Sequence, residues 1–169
     1  MNKIYYSVYN YEVGNLKIFS TNKGICYLGL PNQKYELIIK WFKKYFNPFE
    51  IIKDDSKNKY IHKELKKYFE NKLRRFNCNY DLRGTKFQRK IWVELLKIPF
   101  SQIISYKQLA EKINHKKSYR AVGNAIGKNP VAIIIPCHRV IATNGSLGGY
   151  SGGIRIKKLL LNLENEFSN

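Results

Sequence analysis

The sequence predicts a mixed α/β (α+β) chain, with a small antiparallel sheet at its start and helices after it. Two patterns predict this. Over positions 4–30, aromatic and β-branched residues run in short stretches split by glycine turn signals. From position 33 onward, apolar residues recur three and four apart, which is the helical spacing. Composition supplies the third observation. Of 169 residues 44% are hydrophobic, with 13 Tyr and 9 Phe, enough to build a packed core.

The elements follow in order. Ile4-Tyr5-Tyr6-Ser7-Val8-Tyr9 reads as a strand, and Gly14-Asn15 as a turn. Leu16-Lys17-Ile18-Phe19 and the stretch 24–30 read as two further strands of a meander. Leu37, Ile38, Trp41, Phe42 and Tyr45 then mark a helix over 33–46, which Pro48 ends. Tyr60, Ile61, Leu65, Tyr68 and Phe69 mark another over 59–72. Positions 73–84 read as a link, which divides the chain into a lobe over 1–80 and a lobe over 81–169.

The second lobe opens with Thr85 as N-cap of a helix that carries Phe87, Ile91, Trp92, Leu95 and Leu96 and stops at Pro99. Ser105 caps the next, with Leu109, Ala110 and Ile113. After a polar break, Asn114-His115-Lys116-Lys117, Ser118 caps a third that runs to about Gly127. Two short helices around a tight polar turn have the form of a helix-turn-helix, although an ordinary helical hairpin reads the same way. A last helix spans about 154–166, with Ile156, Leu159, Leu160 and Leu163 inward and His115 facing solvent in the turn.

Charge points to a polyanionic partner. The formal net charge is +19, and between positions 83 and 163 fifteen basic residues meet only Glu94 and Glu111. A Lys-rich genome would give the same bias. Cys26, Cys78 and Cys137 are too few for a disulfide scaffold, there is no apolar run of membrane-spanning length, and the first residues lack a signal-peptide core. These features lead us to expect a reducing, cytoplasmic setting without membrane attachment. Cys26, His62 and Cys78 are too scattered for a four-ligand site, so no metal is expected.

The chemistry gathers after Asn129. An unbroken apolar run, Val131 to Ile135, reads as a buried strand, and Pro136-Cys137-His138-Arg139-Val140 follows at once. A thiolate is a strong nucleophile and a thiol a poor one, so an adjacent imidazole that takes the proton activates the sulfur. Glu164 is the natural carboxylate to orient that imidazole. Each residue alone also has a plainer reading: Cys137 as a small core residue, His138 as a satisfied core histidine, Arg139 as a structural ion-pair partner, Glu164 as a solvated helix residue. A Gly-rich stretch, Asn144 to Gly153, lacks P-loop spacing and reads as a loop closing over a flat substrate with Tyr150 as a wall, or as a surface turn.

Together, Pro136-Cys137-His138-Arg139-Val140, Arg120-Ala121-Val122-Gly123, Asn129-Pro130 and Gly149-Tyr150-Ser151-Gly152-Gly153 resemble the methylated-DNA–protein-cysteine methyltransferases, the O6-alkylguanine-DNA alkyltransferases. The likeness covers about 84–164. It implies a ribonuclease-H-like first lobe and a winged-helix-like, all-α second lobe bearing the helix-turn-helix. It also implies a cofactor-free, single-use repair protein acting as a monomer. Cys137 would accept the alkyl group, His138 draw its proton through a water, Glu164 hold His138, and Asn129 order the turn around the cysteine. Tyr106 would protonate the departing guanine and crowd the phosphate. Arg120 would fill the gap left by an extruded base, with Lys107, Ala121, Gly123 and Thr143 also at the DNA. Tyr150, Ser151, Val140 and Gly149 would line the base pocket.

The implied partner is double-stranded DNA carrying O6-alkylguanine, entered from the minor groove with little sequence preference. O4-methylthymine is a second substrate this reading admits. Tyr119 and Ala142 depart from the family pattern, which has small residues there. Three rival readings stay open: a non-catalytic protein that senses alkylated bases, a Cys–His acyl hydrolase, and a helix-turn-helix regulator with an incidental cysteine.

Overall fold

A computed structural model describes residues 1–115 and 118–165; Lys116 and Lys117, half of the polar break read from sequence, lie outside the described residues. The chain packs as two compact units, Met1–Arg83 and a second that begins at Gly84.

In the first unit β1 (Asn2–Tyr11), β2 (Gly14–Thr21) and β3 (Gly24–Gly29) form the expected antiparallel meander. The sheet does not end there. A fourth strand, β4 (Phe49–Lys53), adds beside β1 in parallel, giving the order β3-β2-β1-β4. The sheet is therefore mixed rather than antiparallel. The cause is the crossover through α1 (Tyr35–Tyr45), which brings the chain back to the same end of the sheet before β4 starts.

Ile38 and Phe42 of α1 join Ile4, Phe19, Cys26, Tyr27 and Phe46 in the core of this unit. Leu37, one of the residues whose spacing marks this helix, is 61% exposed: the buried stripe of the helix is narrower than its apolar content. The next helix, α2 (Lys59–Phe69), buries Ile61, Leu65, Tyr68 and Phe69 and leaves Tyr60 outside. The end of the 73–84 link is strapped to β3, with Ile25 N donating to Asn79 O and Asp81 N to Ile25 O, both at 2.9 Å. Gly24 permits this approach. Its φ is +142°, and a Cβ there would lie 2.2 Å from the Asn79 carbonyl oxygen.

In the second unit α3 (Lys86–Leu95) and α4 (Tyr106–Lys112) start with full capping boxes. Thr85 and Ser105 accept from the backbone of Gln88 and Gln108, whose side chains reach back to the cap N–H groups. The third helix, α5 (Tyr119–Gly127), begins after Ser118, which makes no side-chain cap bond. Trp92 of α3 is buried and donates its indole N–H to Ala125 O at 2.9 Å, fixing α3 on α5. His115 is half-buried, with its ring edge-on to Phe87, rather than facing solvent.

This unit is not all-α. A short parallel pair, β5 (Ile104–Ser105) and β6 (Val140–Ile141), ties the start of α4 to the segment after Cys137. The last helix, α6 (Ile154–Asn165), buries Ile156, Lys157, Leu160 and Glu164, so two charged residues sit on its inner face. Leu159 and Leu163, read as inward, are half-buried.

Candidate active site

The apolar run 131–135 is buried but is not a strand. It is a tight turn, bridged between Ala132 and Ile135, with Ile133 at φ 72°. A β-branched residue in the left-handed region is strained and persists only where its surroundings dictate it. Here they do. Asn129 donates its amide to Ile135 O at 2.9 Å and accepts from Val131 N at 3.0 Å, satisfying polar groups that a sheet would have paired. The turn ends at Pro136, and Cys137–Arg139 follow as one turn of 3₁₀-helix.

Cys137 is 3% exposed. Burial pushes its thiol pKa up, against hydrogen bonds from Asn129 and Tyr150 and the positive charge of Lys157, all of which favour the thiolate. Next to it His138 is fully buried, and its Nε2 lies 2.8 Å from Glu164 Oε1. Its Nδ1 has no hydrogen-bond partner among the described residues. Burial pulls the imidazole pKa down, and Arg139 and Lys157 add to this, while Glu164 opposes it. His138 is thus neutral near pH 7 and able to take a proton.

Glu164 is heavily bonded. Besides His138 it accepts from Arg139 Nε at 2.8 Å, Arg139 Nη2 at 2.9 Å and Ser101 N at 3.1 Å. Burial disfavours its charge, but the bonds and charges of His138 and Arg139 outweigh that and hold the carboxyl far below its usual range. Arg139 also donates to Ile98 O at 2.7 Å and lies over the Phe100 ring.

Sequence reasoning brought Cys137, His138, Glu164 and Asn129 to one place, and the geometry has them there. It missed Lys157. This residue is fully buried and donates to the carbonyls of Val140 (2.6 Å), Leu147 and Gly149 (3.4 Å), pinning the Gly-rich loop against the cysteine segment. One signal was available: positions 157, 160 and 164 fall on one helix face, so a lysine stands inside the apolar stripe.

The remaining predicted residues fall in two groups. Tyr106 reaches the loop, its hydroxyl donating to Gly149 O at 3.5 Å. Burial raises its pKa, and the charge of Cys137 adds to this. Gly148, at φ +67°, lies so close that a Cβ would be 3.1 Å from the Tyr106 ring. Tyr150 is half-buried beside Cys137, Val140 is buried, and Gly149 and Ser151 are exposed. The second group lies outside this cluster. Arg120 and Ala121 are exposed in the first turn of α5, and Gly123 is half-buried, where a Cβ would lie 3.9 Å from the Tyr106 ring. Lys107 and Thr143 line one concavity of about 480 Å³ with Ser105, Gln108 and Gly145.

Residues 86–166 match the family described as 6-O-methylguanine DNA methyltransferase, DNA binding domain, and residues 4–82 match its ribonuclease-like domain. A Bacillus subtilis protein named methylated-DNA–protein-cysteine methyltransferase, inducible, is 41% identical over 166 residues, covering 98% of this chain and 93% of that one. The chain belongs to the 6-O-methylguanine DNA methyltransferase family. Its fold is the family's fold as well. The Mycobacterium tuberculosis protein OGT, crystallised in complex with DNA, superposes with a TM-score of 0.82 at 32% identity, covering 98% of this chain and 94% of that one. The O6-methylguanine methyltransferase of the same organism gives 0.83 at 34% identity, covering 98% and 95%. In this methyltransferase chain the cysteine of the Pro-Cys-His-Arg segment is the one held by Asn129, Tyr150 and Lys157.

Among the described residues no group of three or more His, Cys, Asp or Glu could hold a metal ion. His62 instead pairs with Ser7 Oγ at 2.8 Å, and the Cys26 thiol donates to Phe19 O. No described helix is long and apolar enough to cross a membrane.

Proposed function

We propose that this protein repairs alkylated DNA by moving the alkyl group from O6 of guanine onto Cys137, once per molecule. The observation that carries this reading is the buried Cys137–His138–Glu164 array, with a neutral imidazole beside the thiol and a carboxylate bonded to its far nitrogen. His138 takes the thiol proton through a water at Nδ1. The sulfur attacks the alkyl carbon, the S–C bond forms as the O6–C bond breaks, and the electron pair leaves on guanine. Tyr106 gives the departing base a proton. The product is a thioether that no residue of the site can cleave, so the protein is consumed.

The reactive carbon hangs from a stacked base, which must be extruded at a cost of a few kcal/mol. Arg120, exposed at the start of α5, fills the gap, while Ala121 and Gly123 let the helix approach the minor groove. Lys107 and Thr143 bind backbone phosphates, and Tyr150, Ser151, Gly149 and Val140 surround the base. The protein acts as a monomer on duplex DNA, in the reducing cytoplasm that keeps Cys137 a thiol. The test is intact mass after mixing with a duplex carrying O6-methylguanine. The expected result is a gain of one methyl, stoichiometric and mapped to Cys137; a Cys137→Ala variant binds the duplex without the gain. Repeated turnover, or binding with no gain in the unaltered protein, would overturn the proposal.

A further inference from the structure

Glu164 has no oxygen lone pair to spare. A carboxylate offers about four acceptor positions. On Oε1 these face His138 Nε2 and Arg139 Nη2, and on Oε2 they face Arg139 Nε and Ser101 N, at distances from 2.8 to 3.1 Å. A proton reaching this carboxylate along the His138 Nε2 bond would cancel the charge that the three other donors, two of them on one guanidinium, hold in place. The donor holding both oxygens is Arg139, itself fixed by the Ile98 carbonyl at 2.7 Å and by the Phe100 ring.

We propose that Arg139 is a positioning residue for the transfer: its clamp keeps Glu164 a fixed, ionised partner of His138, so the proton taken from Cys137 stops on the imidazole. This rests on the reading of Cys137 and His138 given above and adds to it the residue that keeps the proton on the imidazole. The charged groups acting on His138 are Glu164 and Lys157 from α6 and Arg139 from its own segment. Of the two cations, only Arg139 also touches the carboxylate. Its fork is what a carboxylate binds with two parallel bonds, a geometry that lysine cannot reproduce.

The test compares the unaltered protein with Arg139→Gln and Arg139→Lys, following the His138 ring by nitrogen-15 NMR against pH and methyl transfer by single-turnover kinetics. In Arg139→Gln the opposing charge is gone and Glu164 acts on His138 alone. The ring should then titrate at higher pH, and the acid limb of the transfer rate should move up with it. The rate should fall by roughly 10- to 100-fold, as expected for a lost bond to a charged group. In Arg139→Lys the charge stays and the fork is lost, so the ring should titrate as in the unaltered protein while transfer stays slow.

An unchanged His138 titration in folded Arg139→Gln would overturn the proposal. So would Arg139→Lys at full rate, which remains decisive if the glutamine variant does not fold. Absence of transfer in the unaltered protein would sink the proposed function instead, and the ring titration would still decide the role of Arg139.

Discussion

At the scale of single residues, Glu164 shows how much one buried carboxylate can hold. If it becomes an amide, Arg139 loses its counter-charge and His138 its carboxylate partner, and a buried cation left alone is costly. Glu164→Gln should therefore destabilise the protein by about 3–5 kcal/mol at pH 7, measured by urea unfolding. The pH dependence has a definite sign. The folded-state pKa of Glu164 is depressed below the ordinary 4.5, so its stabilisation is present above that value and is lost as pH falls through and below it. The gap between the two proteins should narrow as the medium is acidified below about pH 4.5, and a constant gap would contradict the ionic account. His138 adds a loss of its own as pH falls below 6.5, because its folded-state pKa is also lowered. Cys137 is a different kind of residue. Its burial raises the thiol pKa, so the resting sulfur is protonated and protected, and reactivity depends on a base at hand.

At the scale of elements, a buried lysine ties the Gly-rich loop to the cysteine segment. Lys157 supplies the ammonium for three carbonyls, two of them in the loop. Lys157→Met should leave the Val140 and Leu147 carbonyls without their donor, at a cost of about 1–3 kcal/mol each before relaxation, while Gly149 O keeps the Tyr106 hydroxyl. Amide exchange at 147–149 should then quicken while the α3–α5 core stays protected; uniform loosening would mean that the lysine supports the whole unit instead. Little of this was legible in the sequence, because backbone carbonyls leave no signature in residue identity. The helix starts were legible, since Thr85 and Ser105 with Gln88 and Gln108 spell out their caps. The turn at 131–135 was not: its apolar residues match a buried strand, and only the three-dimensional reach of Asn129 shows that a side chain has taken the place of a neighbouring strand. β4 was missed because five residues pair with a strand nearly fifty positions earlier, a distance over which local pattern says nothing. The sequence pointed to the cysteine, histidine and glutamate because nucleophile chemistry restricts residue type, whereas Arg139 read as an ordinary ion-pair partner.

At the scale of the whole molecule, charge is the dominant property. A net +19 on 169 residues repels itself, and the second unit has very few acids to offset its lysines and arginines. Such a surface costs stability unless a polyanion balances it, which makes DNA affinity and salt the natural pair of observables. Each phosphate neutralised releases condensed counterions, so log affinity falls linearly with log salt at about 0.9 per contact. If the exposed cations of the second unit, Lys107, Arg120 and Lys128 among them, engage about six phosphates, affinity for an undamaged duplex should fall roughly 1000-fold between about 50 and 200 mM salt. Fluorescence anisotropy with a labelled duplex reads this directly. Arg120→Ala gives the finer result. An inserted side chain offsets unstacking rather than phosphate charge, so its loss should slow methyl transfer far more than it weakens low-salt binding, and the salt slope should drop by no more than about one contact. A flat salt response would mean that the basic excess reflects composition alone, and equal losses in binding and transfer would make Arg120 one more phosphate ligand.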